Sequence, residues 1–99
     1  MIYILENIEK FYKIGYSKNP ENRVKQLNTG NSTGLKLLYK IETRYDSKIE
    51  AYLKNYYKHR HIKGEWFDFS KEDIDNIKHI IKIQESVLDC LYKSGNIFI

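Results

Sequence analysis

Apolar residues fall in short runs near the start of the chain and at helical spacing further on. This change of period divides the sequence into elements. Residues 2–5 and 11–16 are rich in β-branched and aromatic side chains, with polar residues 6–10 between them, which predicts two strands joined as a hairpin. Gly15 inside the second run predicts close approach of another group to the backbone. Asn19 followed by Pro20 predicts a helix start, with Glu21 in its first turn and Arg23, Val24 and Leu27 continuing it. Residues 28–34 read as loop, and residues 35–43 alternate as a third strand.

Asp46 is the expected N-cap of a second helix whose stripe is Ile49, Tyr52, Leu53 and Tyr56, with Glu50 at its edge. Residues 58–64 form a basic connector, and residues 65–69 a short aromatic stretch. Ser70 and Asp73 have capping-box spacing, although Glu or Gln is usual at the second place. A long helix follows with Ile74, Ile77, Ile81, Leu88 and Leu91 on one face; Ile80 and Val87 widen the stripe, and Ser94-Gly95-Asn96 ends it before an apolar tail, residues 97–99. The expected fold is α+β: a small antiparallel three-stranded sheet flanked by helices. One domain is expected, with residues 1–69 as its core and residues 70–99 packed on it.

Ninety-nine residues with 41% apolar content support one modest core and argue against disorder. Charge is uneven: residues 1–69 hold 13 Lys or Arg against 8 Asp or Glu, or +5, whereas residues 70–99 hold 4 against 5, or −1. The first two thirds can therefore present a basic face to phosphate. Cys90, the single cysteine, allows no intramolecular disulfide, and on an apolar helix face it is expected as a small core residue. No apolar run reaches the roughly 20 residues of a membrane span, and the polar start is unlike a signal peptide. An intracellular protein that is neither secreted nor bound to a membrane is expected.

Several residues line up with a known pattern. Met1-Ile2-Tyr3 lies on the first strand, and Lys13-Ile14-Gly15 on the second, with Lys13 ten residues after Tyr3. Arg23 follows Gly15 by eight residues, Glu50 sits on the second helix, and Gly64-Glu65-Trp66-Phe67 comes later. In this order they resemble the GIY-YIG nuclease family, and the last motif resembles its phage and large-virus branch. The resemblance covers about residues 1–69 and implies a DNA endonuclease leaving a 5′-phosphate and a 3′-hydroxyl. It makes Tyr3, Lys13, Arg23 and Glu50 the catalytic set, with Glu50 holding Mg²⁺ or Mn²⁺. The chain departs from the pattern in three places: Met1 replaces the first Gly, Lys13 replaces the second Tyr, and around Lys63-Gly64-Glu65 there is no Asn.

The residue chemistry supports these roles independently. Phosphodiester hydrolysis needs an activated water, compensation of phosphoryl charge and help for the leaving oxygen. A carboxylate such as Glu50 suits a hard divalent ion that keeps several waters. Arg23 offers a fork of donors that cannot lose its charge. A phenol, ordinarily titrating near 10, takes a proton at neutral pH only beside positive charge, which Lys13 can supply to Tyr3.

Around this set, Tyr16, Lys18, Lys25, His59, Arg60 and His61 are candidate substrate contacts, and Tyr12 is a further candidate wall. Trp66 and Phe67 read as core plugs more than as stacking platforms. Zinc is disfavoured, because beyond His59 and His61 only His79 and Cys90 remain, far along another helix. Glu65 reads equally as a second carboxylate or a structural anchor. Two other readings stand beside the nuclease: a catalytically inactive relative that binds nucleic acid or protein, and a structural protein reusing the fold. The surplus apolar face of the last helix also offers a surface for a homodimer.

Overall fold

The computed structural model describes residues 1–30 and 34–95. Its elements are β1 (Ile2–Glu6), β2 (Tyr12–Tyr16), α1 (Pro20–Gly30), β3 (Lys36–Ile41), α2 (Asp46–Tyr56), a 3-10 turn (Lys58–Arg60), β4 (His61–Lys63), β5 (Trp66–Phe67) and α3 (Lys71–Lys93). The class is α+β as expected, but the sheet has five strands rather than three, in the order β3-β1-β2-β5-β4. The additional pair is a hairpin within the expected basic connector and aromatic stretch. Its turn is Gly64-Glu65, with Gly64 at φ +58°, where a side chain is disfavoured. β5 pairs with β2 (Tyr12 with Phe67, Lys13 with Trp66) and so covers an edge that would otherwise be open.

The run Ile-Tyr-Ile-Leu in β1 is buried throughout because helices cover both faces of the sheet. Ile2, Ile4, Ile14 and Phe67 pack with Ile49, Leu53 and Tyr57 beneath Ile77, Ile80 and Ile81 of α3. Tyr3 and Leu5 face the other way, into a smaller cluster with Leu35, Leu37 and Trp66 against Val24 and Leu27 of α1. Phe67 stacks on Phe69 at 5.2 Å between ring centroids, as a core plug should.

The helix starts divide into one that differs from expectation and two that match. Asp46 does not cap α2: its carboxylate accepts from the Met1 amino group at 3.2 Å and from the Ser47 amide, and Tyr45 is the cap residue. At α1, Asn19 Oδ1 accepts from the Asn22 amide, as the Asn-Pro start predicts. At α3 the capping box is complete, with Asp73 in the usual Glu place: Ser70 Oγ accepts from the Asp73 amide and Asp73 Oδ2 from the Ser70 amide.

Other differences have one cause, the limited extent of the sheet. Tyr52 and Tyr56 are exposed, because α2 turns only Ile49, Leu53 and the following Tyr57 inward. α3 outruns the core, so Val87, Leu91 and Cys90 are exposed, contrary to the expected stripe. Pairing of two copies through this face, expected from the sequence, finds no support among the described residues. Residues 28–30 belong to α1 rather than to a loop, while the expected loop residues 31–33, residue 96 of the expected helix stop and the tail residues 97–99 lie outside the described residues. No helix among the described residues is long and apolar enough to cross a membrane.

Replacing Ser70 with Ala removes one arm of the capping box and should cost about 1 kcal/mol of stability. Urea unfolding checks it, and an unchanged midpoint would show that the Asp73 arm suffices.

Candidate functional site

Tyr3 and Gly15 are directly opposed in the β1–β2 pair, and Lys13 opposes Leu5 on the same face. The Tyr3 ring lies across Gly15: a Cβ there would sit 2.4 Å from its Cζ and hydroxyl oxygen. This is the close approach that Gly15 predicts. Lys40 opposes Tyr3 from β3 and pairs with Glu21, which ties α1 to the sheet beside the ring. Val24 and Leu27 pack on the Tyr3 cluster, and Arg23, one helical turn before Leu27, stands exposed at the cluster's margin.

Glu50 comes from α2, on the other side of the sheet. Its carboxylate is 3.4 Å from Lys54 Nζ, the i,i+4 pair its spacing allows, and its side chain is 17% exposed. The hairpin tip joins the two sides: Glu65 is 2.8 Å from Lys13 Nζ. Lys13 holds the Glu65 carboxyl below its ordinary value against the opposing effect of burial, and the charges of Lys54 and Arg23 lower it further. Lys13 alone contacts the Glu65 carboxylate; Lys54, which pairs with Glu50, lines the same cleft, and Arg23 acts on Glu65 through its charge.

A cleft of about 300 Å³ opens beside Glu65, lined by Lys54, Lys58, His61, Gly64 and Phe67. Lys54 and Lys58 were not among the expected contacts. Their spacing of four and eight residues from Glu50 is the signal that could have found them, since it continues one helical stripe.

The other expected contacts scatter. Tyr16 opposes Ile2 and so lies on the sheet face away from Tyr3 and Lys13. Lys18 and Lys25 are exposed near and on α1, and His59 is exposed beside Tyr57. Arg60 is engaged by Asp73 at 3.0 Å, while His61 Nε2 is 2.6 Å from the Gly64 carbonyl oxygen and braces the turn. Tyr12 is buried in the main core, where its hydroxyl donates to Glu6. Burial pushes Tyr57 up to about 12 and Tyr39 higher still, which removes both as proton acceptors near neutral pH.

A divalent ion fits this donor set in one form. Among the described residues no three His, Cys, Asp or Glu are grouped to hold a metal, so a closed multi-ligand cage is not what they build. A half-sheltered carboxylate whose partner is one displaceable ammonium suits a hard cation held mainly by water and substrate oxygens.

Comparison with known families agrees with the extent of this fold. The model of the T5orf172 domain matches residues 1–82, from β1 into α3. The chain belongs to the T5orf172 domain family. No curated protein and no solved structure matches it. T5orf172 domains are found in phage and in some nucleases, so membership suggests a nuclease or DNA-binding role without fixing a reaction.

Gly15→Ala in this T5orf172 domain should drive a methyl into the Tyr3 ring and cost about 1–3 kcal/mol as overpacking. Denaturant unfolding measures it, and a neutral effect would show that the ring moves aside freely.

Proposed function

We propose that this T5orf172 domain is a metal-dependent endonuclease that hydrolyses DNA phosphodiester bonds through a GIY-YIG-type site. The observation that carries the reading is the Lys13–Glu65 pair at the margin of the Tyr3 cluster, with Lys54 lining the same cleft. Positive charge gathered there suits a phosphate undergoing in-line attack.

In this reading Arg23 binds the phosphoryl oxygens and offsets the charge that grows on them. Tyr3, having given up its own proton, acts as the phenolate that takes the proton of the attacking water, with Lys13 as the positive charge on the same face. The packing of Tyr3 over Gly15 keeps its ring in one orientation, which limits the reorganisation the reaction needs. Glu50 is the carboxylate that would hold Mg²⁺ or Mn²⁺, Lys54 yielding to the ion; when bound, such an ion stabilises the leaving oxygen. Lys58, in the adjoining cleft, and the exposed Lys18 and Lys25 are available to backbone phosphates beyond the cut.

Glu50→Gln tests the reading on plasmid, duplex, flap and junction DNA with Mg²⁺, Mn²⁺ or EDTA. Cleavage should need the metal and fall by on the order of 100-fold or more in the variant, the scale for losing one charge-stabilising group. Stability should hardly change, since an exposed Lys–Glu pair contributes only about 0–1 kcal/mol. Metal-dependent cutting retained by Glu50→Gln refutes the metal role. Salt-sensitive binding without cutting under any metal would instead identify an inactive DNA-binding relative.

A further inference from the structure

Glu65 is an unusual residue to find at the centre of a cation cluster. It stands at the tip of a hairpin with its side chain 58% exposed, where water alone would satisfy it. Instead its carboxylate meets Lys13, whose own side chain is only 17% exposed, and lies within the field of Arg23 and Lys54. A compact oxyanion contacted by an ammonium, with a guanidinium and a second ammonium nearby, has the chemical surroundings of a backbone phosphate. The turn carrying it faces open space, since a Cβ on Gly64 would meet nothing within 4 Å beyond its chain neighbours, and the His61–Gly64 contact braces it.

We propose that Glu65 is a resident substitute for phosphate, holding the Lys13, Arg23 and Lys54 cluster until a DNA backbone phosphate displaces it. This deepens the nuclease reading and rests on its premise that DNA is the ligand.

The test is binding of a duplex oligonucleotide in EDTA over a salt series, by the wild-type chain, Glu65→Gln, Glu9→Gln, Lys13→Gln and the Lys13→Gln/Glu65→Gln pair. Glu65→Gln should tighten binding roughly two- to fivefold, the range for no longer having to break one exposed ion pair. Glu9, exposed on the β1–β2 turn, controls for net charge, and its variant should gain less. The gain from Glu65→Gln should vanish once Lys13 is Gln. Unchanged or weaker binding by Glu65→Gln, an equal gain from Glu9→Gln, or a gain that persists without Lys13 would each overturn the proposal. Because no metal is present, the result is independent of hydrolysis: a wild-type chain that never cuts DNA sinks the nuclease reading alone, and one that never binds it sinks both.

Discussion

Everything on the α1 side of the sheet is arranged around the ring of Tyr3, which occupies the space a side chain at residue 15 would need. With the ring lying across β2, its hydroxyl sits over Gly15, two strand residues from Lys13 on the same face, and α1 packs on this cluster with Val24 and Leu27. That seating carries Arg23, a turn from Leu27, to the margin of the same cluster. A larger residue 15 would therefore move the ring, the helix seat and the arginine together, because close-packed interiors transmit a displacement instead of absorbing it.

The charges at this margin are organised on the opposite principle. Glu50 with Lys54, and Glu65 with Lys13, are partly exposed pairs, each of the kind that contributes only about 0–1 kcal/mol. Weak pairs can be exchanged. A site meant to accept phosphate and a divalent ion has to release its internal partners at low cost, and deeply buried pairs would resist that. The rigid apolar cluster fixes where the groups are, and the exposed ion pairs leave them free to change partner.

Much of this was legible in the sequence, and the exceptions follow from what a one-dimensional pattern can hold. β1, β2, the Asn19-Pro20 start, the capping box at Ser70 and the closeness at Gly15 all depend on neighbouring residues, and the local pattern carries them. β4 and β5 do not: strands of three and two residues have no period to detect, and their existence depends on β2 offering a free edge. Asp46 looks like a cap by its type and place, yet the amino group of Met1 reaches it first, a contact between residues far apart in the chain. Tyr52, Tyr56, Cys90 and Leu91 sit at helical spacing, which reveals the face of a helix but not how far its partner extends. For the candidate site, spacing nominated Tyr3, Lys13, Arg23 and Glu50, while the contact of Glu65 with Lys13 depends on a hairpin that spacing could not see.

That hairpin connects fold and site. β5 closes the edge of β2, and the same two-residue turn sets Glu65 against Lys13, so protection of the sheet edge and construction of the charged cluster are one structural event. The extent of the family match follows the same boundary. It ends at residue 82, immediately after Ile81, the last buried residue among those described. Residues up to Ile81 are needed to cover the sheet that positions Tyr3 and the hairpin. Beyond that point α3 is largely exposed and adds only peripheral packing: Leu88 rests against the core, and Asp89 accepts from the Tyr45 hydroxyl at 2.6 Å.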